Sequence, residues 1–496
     1  MKKNGGIKRL LIANRGEITC RIVATCRAMG IETVTVFASD DKDLPHARAG
    51  DFAVLLEGTN LSETYLNIQK LLAAARASGA DAIHPGYGFL SENARFAEAV
   101  TKARLIFVGP PAKVIALMGD KGESRKLCQS IGVPTVPGYD GAAKDIKQIT
   151  KEAEKIGYPV LVKALAGGGG KGMRIVESAK ELASALESAC SEAGNAFGDD
   201  RLLLEKYLVR PRHIEVQVFS DTHGNHLHLF ERECSIQRRY QKIVEESPAP
   251  ELPEKTREKM VKTAITITSH IGYVGAGTVE FIMDSTGEFY FLEMNTRLQV
   301  EHPVTEMVTG FDLVQWQIDV ANGKKLPVTQ KDIKQNGHAV EVRLYAEDPD
   351  KEFLPAPGTL HAFSPPHLPH VRSENGYKSG NVVSASYDPM IAKLAAWGLT
   401  REEAINRLHN ALSQTHVSGV INNRAFLMRV LEHEDFRAGK TSTDFIAKHK
   451  KALLEAHYSD DEIASLAAAY LLFGSATTQA TTESKTEYSA WTAGLR

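Results

Sequence analysis

The chain has 496 residues, of which 43% are hydrophobic, and its 59 basic and 61 acidic side chains leave a net charge of −2. At about 150 residues per domain this length predicts roughly three domains, and the hydrophobic fraction excludes a disordered chain. The charge balance excludes a nucleic-acid coat protein, so any basic site must be local.

Cysteine content and hydropathy indicate where the protein works. The five cysteines are odd in number and form no C-x-x-C pair, which excludes a disulfide framework and a zinc site of that type. The first residues, MKKNGGIKRLLIANRGE, are typical of neither a signal peptide nor a transit peptide. The longest apolar stretch, 463–473, has about half the length of a membrane helix. We therefore expect a cytoplasmic protein that binds neither membranes nor nucleic acid.

Residues 8–110 alternate between strand and helix patterns. The strand patterns are KRLLIAN, TVTVFA, DAIH and LIFVG, and the helix patterns span 17–29, 65–77 and 91–102. This rhythm predicts a parallel sheet covered by helices. The turns 14–16 and 85–88 follow strands, at the edge where such folds bind ligands. No G-x-G-x-x-G follows the first strand, which argues against a dinucleotide site.

A glycine-rich segment, PVLVKALAGGGGKGMRIV, lies between two strand patterns. It is not a P-loop, because Lys171 is followed by Gly172 rather than by Ser or Thr. Consecutive glycines let backbone N–H groups approach an anion closely, and Lys163 and Lys171 add positive charge. The segment predicts a phosphate-covering flap; a flexible hairpin tip is the alternative.

The segments GTVEFIMD and EFYFLEMN predict a hairpin that carries two carboxylates. If Thr286-Gly287 is a two-residue loop, Glu280 lies directly opposite Glu293. Opposed like charges destabilise a ladder unless a cation lies between them, and Asn295 offers a third hard oxygen on the same face. Mg²⁺ that also binds nucleotide phosphates suits this set; two solvated glutamates on an exposed face are the alternative.

The same alternation continues beyond the hairpin. In an extended chain, five polar side chains at period two share one face of the strand: Glu293, Asn295, Arg297, Gln299 and Glu301. We expect this face to line a site.

Charged residues elsewhere are less informative on their own. The stretch ERECSIQRRYQKIVEESPAP carries cations that form either a salt-bridged face or an anion site for the terminal phosphate of a nucleotide: Arg232, Arg238, Arg239 and Lys242. Glu205 and Lys206 end a hydrophobic strand and suit a hinge that binds an adenine base. Arg343 and Glu347 suit a structural ion pair.

Together these segments resemble the biotin carboxylases, which are ATP-grasp ligases. The matching segments are IANRGEI, HPGYGFLSEN, LMGDK, GGGGKGM, EKYL, PRHIE, ERECSIQRR, QKIVEESPAP, EMNTRLQVEHPVTE and AED…FLPAPG. The resemblance implies an α/β protein with α+β lobes. Its expected parts are an N-terminal parallel-sheet pre-ATP-grasp domain (1–119), an ATP-grasp domain (120–322) with a glycine-rich lid at about 135–208, a mixed C-terminal domain (338–450) and a helical, low-complexity tail (451–496).

The resemblance implies the first half-reaction of a biotin-dependent carboxylase. ATP and bicarbonate form carboxyphosphate, and the carboxyl group passes to biotin on a carrier protein, with Mg²⁺ or Mn²⁺ as cofactor. The implied partners are a biotin carboxyl carrier protein or domain, a carboxyltransferase subunit and a second copy of the chain in a homodimer. The chain contains no Met-Lys-Met biotinylation sequence, so we expect the carrier outside it. An acetyl-CoA carboxylase of fatty acid biosynthesis is one such assembly.

The resemblance also implies residue roles. ATP would be bound by Lys121, Lys163, Gly167, Gly168, Gly169, Gly170, Glu205, Lys206, Leu208, His213, Gln237, Tyr240, Glu280 and Glu293. The metal would be bound by Glu280, Glu293 and Asn295. Bicarbonate and biotin would be bound by Lys242, Arg297, Gln299, Val300 and Arg343. The catalytic residues would be Arg297, Glu301, Arg343 and Lys242, with Glu301 as the base and Arg343 beside the biotin enolate.

Two alternatives stay open at this stage. Another bicarbonate-activating ATP-grasp ligase would share the metal and phosphate residues, although the internal duplication of a carbamoyl-phosphate synthetase large chain is absent here. A catalytically silent nucleotide-binding scaffold would not require the acid and base residues. Tyr240 stands where bacterial relatives often carry His, which bears on nucleotide affinity.

Overall fold

The computed structural model describes residues 6–141, 146–164, 173–197, 202–239 and 241–455. The N-terminal part contains strands β1 (Arg9–Ile12), β2 (Glu32–Ala38), β3 (Phe52–Leu56), β4 (Ala82–His84) and β5 (Ile106–Phe107). Its helices are α1 (Gly16–Ala28), α2 (Ile68–Ala77), α3 (Ala94–Lys102) and α4 (Ala112–Gly119). The strands form one parallel sheet in the order β3-β2-β1-β4-β5, which confirms the predicted parallel sheet.

Capping residues explain where the predicted N-terminal helices begin. Helices α2 and α3 start later than the patterns suggested, because Asn67 and Asn93 each accept a hydrogen bond from a backbone N–H of the first turn. Strand β3 was not predicted, since Phe52 and Leu55 on this sheet edge are exposed and no alternation marks it. The predicted ligand turns lie together, because the Asn14 amide donates to carbonyls of the second turn.

A smaller sheet follows in the central part. Its elements are α5 (Lys121–Ser130), β6 (Gly138–Gly141), α6 (Ile146–Ile156), β7 (Val160–Ala164), β8 (Arg174–Val176), α7 (Ala179–Phe197) and β9 (Leu202–Lys206). The strand order is β6-β9-β7-β8, and β7 pairs antiparallel with β8 as the predicted flanks of the glycine run. The run itself, Gly167–Gly170, lies outside the described residues.

The largest sheet joins the central and C-terminal parts of the chain. It contains β10 (Arg212–Ser220), β11 (His226–Arg238), β12 (Gln241–Ser247), β13 (Gly275–Met283), β14 (Phe289–Asn295), β15 (His338–Tyr345), β20 (Val371–Asn375) and β22 (Met390–Gly398). The order is β14-β13-β10-β11-β12-β15-β22-β20, and every pairing is antiparallel. The contact between β12 and β15 therefore places residues of the two parts side by side.

The remaining elements complete the described chain. They are α8 (Glu254–His270), α9 (His302–Thr309), α10 (Leu313–Ala321), β16 (Glu347–Asp348), β17 (Leu354–Pro355), β18 (Gly358–Thr359), β19 (Ala362–Ser364), β21 (Val382–Val383), α11 (Arg401–Gln414), β23 (His416–Ser418), α12 (Arg424–Glu432), α13 (Glu434–Arg437), α14 (Phe445–Lys448) and α15 (Lys450–Leu454). Helix α11 matches its predicted span and is capped by Thr400. Within the described chain, no helix combines the length and the apolar composition that a bilayer crossing requires.

Alternation along the central strands gives the large sheet one apolar and one charged face. Ile214, Val216 and Val218 of β10 pack in a hydrophobic cluster that includes side chains of α8. Glu215 and Gln217 lie between them in sequence, and both are buried on the opposite face. A strand that is buried on both faces can place carboxylates inside the protein. The charged face of the large sheet carries the site.

Candidate active site

Charged residues form a row across four strands of the large sheet. Glu293 on β14 is paired with Glu280 on β13, which is paired with Glu215 on β10, which is paired with Arg232 on β11. The predicted opposition of Glu280 and Glu293 is confirmed.

The loop that was assumed for this hairpin is wrong. Asp284 donates its backbone N–H to the carbonyl of Glu288, so three residues, 285–287, form the loop, and Gly287 adopts a left-handed φ of +87°. A β-bulge between Glu280 and Phe281 then shifts the ladder by one residue and restores the expected pairing.

Lys242 on β12 lies at the centre of the charged face. Its Nζ is 2.6 Å from a carboxylate oxygen of Glu215, 2.8 Å from one of Glu280 and 2.8 Å from one of Glu301. Burial alone would lower the pKa of this ammonium, but the three carboxylates raise it well above its usual value. Lys242 is therefore a fixed positive charge.

Glu280 is held by donors from four directions. His213 Nε2 lies 2.7 Å from its Oε2, and the side-chain amides of Asn295 and Gln299 donate to its Oε1 at 2.6 and 2.8 Å, beside Lys242. Burial would raise the pKa of this carboxyl, but Lys242 and His213 lower it well below its usual range. The group is ionised at neutral pH.

The predicted metal ligands fit a hard divalent cation. Glu280 and Glu293 face each other across the ladder, and Asn295 follows on the same strand as Glu293. All three carry oxygens of the kind that Mg²⁺ prefers, and the Asn295 oxygen accepts from Arg297 in this structure. Glu293 reaches the open side of the site, where its carboxylate is 3.4 Å from Nζ of Lys121 at the start of α5.

The predicted extended strand to Glu301 is wrong beyond Asn295. Strand β14 ends there, the chain turns, and α9 begins at His302 with a proline in its first turn. Pro303 suits a helix start and not a continued ladder. Gln299 and Glu301 still reach the charged face, because the turn folds back over the sheet toward Lys242.

Arg297 is anchored by a residue that the sequence did not single out. Its Nε donates to Glu92 at 2.9 Å, the backbone N–H of Thr296 binds the same carboxylate, and its Nη2 donates to Asn295 at 2.9 Å. Glu92 belongs to the N-terminal part, within the HPGYGFLSEN segment. The quoted motif was the only signal that could have indicated it.

Glu301 lies between two cations. Its Oε1 accepts from Lys242 at 2.8 Å, and its Oε2 accepts from Nη2 of Arg343 at 2.9 Å. Burial would raise the pKa of Glu301, but Lys242, Arg343 and Arg232 lower it far below its usual range. Glu301 is therefore ionised, and an ionised carboxylate can accept a proton.

The ion pairs of two arginines differ from the expected ones. Arg343 pairs with Glu245 and Glu301, whereas Glu347 pairs with Arg238. Arg232 is fully buried and serves the sheet: its guanidinium binds side chains of Glu215, Gln217, Thr278 and Thr305. The site is thus supported by Glu215, Glu245 and Arg232. In the sequence, only the period-two pattern of their strands could have suggested that these side chains point to the charged face.

The predicted nucleotide residues lie in two places. In the smaller sheet, the carboxylate of Glu205 binds Arg125 at 2.6 Å and also Lys163, while Lys206 donates to the carbonyls of residues 157 and 158. Leu208 follows, half-buried. In the large sheet, the amide of Gln237 lies 2.8 Å from Nδ1 of His213. Tyr240, which was also predicted to bind the nucleotide, lies outside the described residues. Val300, which was predicted for bicarbonate, has its backbone carbonyl bound by Lys393.

Family profiles match three consecutive stretches of the chain. The biotin carboxylase N-terminal domain matches residues 6–115, the carbamoyl-phosphate synthase L chain ATP-binding domain matches residues 120–329, and the biotin carboxylase C-terminal domain matches residues 341–448.

Two solved structures are similar over almost the whole described chain. The biotin carboxylase domain dimer of Hydrogenobacter thermophilus 2-oxoglutarate carboxylase, in complex with MgADP, ADP and bicarbonate, is 45% identical, with a TM-score of 0.87 over 92% of this chain and 100% of that one. Biotin carboxylase from Campylobacter jejuni, in its β,γ-ATP complex, is 47% identical, with a TM-score of 0.86 over 89% of this chain and 99% of that one.

Curated relatives of two different lengths also match this chain: a biotin carboxylase of similar length and longer carboxylase α subunits. Biotin carboxylase 2 of Bacillus subtilis (strain 168) is 49% identical over 441 residues, which is 89% of this chain and 99% of the relative. The mitochondrial α subunit of methylcrotonoyl-CoA carboxylase from Dictyostelium discoideum is 50% identical over 94% of this chain but only 67% of its own length, and the rat subunit is matched over 64% of its length. The chain thus spans about two thirds of these α subunits. With all three domains matched, this chain belongs to the biotin carboxylase family, which performs the ATP-dependent carboxylation of biotin.

Proposed function

We propose that this chain carboxylates biotin on a carrier through carboxyphosphate and that the charged face of the large sheet is where both steps occur. The observation that carries the proposal is the contact of Lys242 with Glu280 and Glu301, with Arg343 on the far side of Glu301. This contact brings together a carboxylate that suits a nucleotide-bound metal (Glu280), a fixed cation that suits an anionic substrate (Lys242) and a base (Glu301).

The first step needs an anion site next to a proton acceptor. We propose that Lys242 and Arg297 hold bicarbonate, together with Gln299 and the backbone of Val300. Glu280, Glu293 and Asn295 would hold Mg²⁺ or Mn²⁺, which would neutralise charge on the phosphate oxygens of ATP. Glu301 accepts the bicarbonate proton as an oxygen of bicarbonate attacks the γ-phosphorus and ADP leaves.

The second step needs a cation for an anionic form of biotin. Carboxyphosphate breaks down to CO₂ and phosphate, the released phosphate takes the proton of the biotin ureido N–H, and that nitrogen then bonds to the carbon of CO₂. We propose that the guanidinium of Arg343 stabilises the negative charge on the ureido oxygen, as an oxyanion-hole donor does. Its rigid position between Glu245 and Glu301 supports this role.

The nucleotide itself is proposed to lie between the two sheets. Its phosphates would be held by Lys121, Lys163 and the flap Gly167, Gly168, Gly169 and Gly170. Its base and sugar would be held by Glu205, Lys206, Leu208, His213, Gln237 and Tyr240. The closed lid would exclude water from carboxyphosphate. The proposed domains span residues 1–119, 120–322 and 338–450, with a tail from residue 451.

The partners and the final acceptor are also proposals. We propose a homodimer that works with a separate biotin carboxyl carrier protein or domain and a carboxyltransferase subunit, in the cytoplasm. The names of the α-subunit relatives favour methylcrotonoyl-CoA or propionyl-CoA as acceptor over acetyl-CoA and fatty acid synthesis. Purifying the chain with its transferase partner and assaying carboxyl transfer to each of the three CoA esters tests the choice.

The proposed activity is tested by measuring ADP release with and without bicarbonate and free biotin. Bicarbonate-dependent release together with carboxybiotin is the expected result. Release that requires an amine or another nucleophile would indicate a different ATP-grasp ligase. Nucleotide binding without any turnover would indicate a scaffold.

A further inference from the structure

Two buried glutamates face each other behind Arg343. Glu245 on β12 is directly paired with Glu341 on β15, and both side chains are completely buried. One oxygen of Glu245 accepts from Nε of Arg343 at 2.7 Å and lies 2.5 Å from its Nη2, and the same Nη2 reaches Glu301. Glu245 therefore holds the guanidinium through Nε and Nη2, next to the contact of Nη2 with the base.

The remaining oxygens of this pair are unpartnered. Oε2 of Glu245 and both oxygens of Glu341 have no hydrogen-bond partner among the described residues. Two ionised carboxylates can only accept, so opposed in a buried ladder they would repel each other and leave three acceptors unsatisfied. One shared proton removes the repulsion and converts one group into a donor.

The surroundings decide which of the two holds the proton. Glu245 is directly bonded to Arg343, whereas Lys393, the cation with the largest effect on Glu341, is already engaged by Glu374 at 2.8 Å and by the carbonyl of residue 300. Burial raises the pKa of Glu341 well above its usual value, and Lys393 offsets this only partly. Burial also raises the pKa of Glu245, to about 7, against the opposing effect of Arg343.

We propose that Glu245 is an ionised positioning residue for Arg343 and that Glu341 carries a proton, which it donates in a hydrogen bond to the second oxygen of Glu245. The neutral acid fixes the orientation of the carboxylate without competing for the arginine. Glu245 in turn holds the guanidinium where it meets the biotin ureido oxygen. This inference rests on the proposed role of Arg343 in biotin carboxylation.

Isosteric variants separate the two glutamates. The E245Q variant removes the charge on Glu245 and should lower carboxybiotin formation by on the order of 10- to 100-fold, because a misplaced catalytic group loses about that much. Its bicarbonate-dependent ADP release should fall by a smaller factor, and its KM for biotin should rise. The E245D variant keeps the charge and should recover part of the carboxylation. The E341Q variant keeps both the shape and a donor, so it should lose far less carboxylation than E245Q.

Glu246 provides the matched control. It is the next residue of the same strand, is buried, and binds Arg401 and His338 away from Arg343. E246Q should lower the melting temperature without changing the ratio of carboxybiotin to ADP. If E245Q changes this ratio no more than E246Q, or if E245D is no better than E245Q, Glu245 has no positioning role.

The proton on Glu341 is tested in the parent protein by infrared difference spectroscopy between the parent and E341Q. The carbonyl band of a protonated carboxylic acid should be present in the parent and lost in E341Q. A parent spectrum without any such band would overturn the assignment even if E341Q does not fold, and so would a band that folded E341Q retains. A parent that lacks bicarbonate-dependent ADP release would instead overturn the proposed function, so the two failures are distinguishable.

Discussion

Replacing Arg343 with alanine should uncouple ATP cleavage from biotin carboxylation, while replacing Glu301 with glutamine should stop both. Arg343 contributes one hydrogen bond to Glu301, whose other oxygen stays on Lys242 at 2.8 Å, so the base remains in place in R343A. We expect bicarbonate-dependent ADP release to fall less than about tenfold, or ~1.4 kcal/mol. Loss of an oxyanion donor costs ~3–4 kcal/mol, which predicts an approximately 10²–10³-fold loss of carboxybiotin formation. In E301Q, loss of a positioned base should slow ADP release by roughly 10²–10⁴-fold.

The assay measures ADP and carboxybiotin side by side in each variant. R343A leaves Glu245 without its cation, but burial raises the pKa of Glu245 and the loss of Arg343 removes a group that lowers it, so Glu245 can take up a proton. Arg401→Ala is the matched control, because it removes another arginine from a buried glutamate of the same sheet, away from Arg343. Parallel loss of both products in R343A would refute the division of labour and assign Arg343 to structure or to nucleotide binding.

Three further predictions concern the metal, the flap and the buried acid. E280Q and E293Q should each abolish ATP cleavage, but only E280Q should lower the melting temperature, since Glu280 is buried among cations and Glu293 is at the open side; cleavage near the parent rate in either variant would contradict the ligand set. Gly168→Val and Gly169→Val should raise the KM for ATP or slow its turnover, because a β-branched side chain resists positive φ and blocks backbone approach, and unchanged ATP kinetics would indicate a simple hairpin tip. The raised pKa of Glu341 means that its contribution to stability is fully present below the ordinary glutamate pKa and is lost as pH rises toward the raised pKa, so E341Q should gain about 1.4 kcal/mol per pH unit over the parent between pH ~4.3 and that raised pKa; pH-independent differences in denaturation would contradict this.

Local sequence patterns predicted secondary-structure elements and the pairing register of the hairpin that carries Glu280 and Glu293. Periodicity located α11 and four of the five N-terminal strands, because their apolar faces are continuous in sequence. The opposition of Glu280 and Glu293 was predicted correctly from a wrong loop, since a β-bulge compensates for the extra loop residue. The alternation failed after Asn295, where a turn and a helix replace the expected strand.

Contacts between distant parts of the chain were beyond local patterns. Arg343 meets Glu245 only because β12 and β15 pair across the boundary between the central and C-terminal parts. Lys242 meets Glu301 because the turn after β14 folds back over the sheet. Glu92 reaches Arg297 from the N-terminal part. Such pairings depend on how sheets and domains assemble, and no periodicity in one segment encodes them.

The most direct test of the account uses bicarbonate labelled with oxygen-18. If an oxygen of bicarbonate attacks the γ-phosphorus and the C–O bond of carboxyphosphate then breaks, that oxygen stays with phosphorus. Mass spectrometry of the phosphate released during biotin carboxylation should therefore show one labelled oxygen from bicarbonate in each phosphate. Phosphate without the label, formed at the same rate as carboxybiotin, would contradict activation of bicarbonate at the Lys242–Glu301 site.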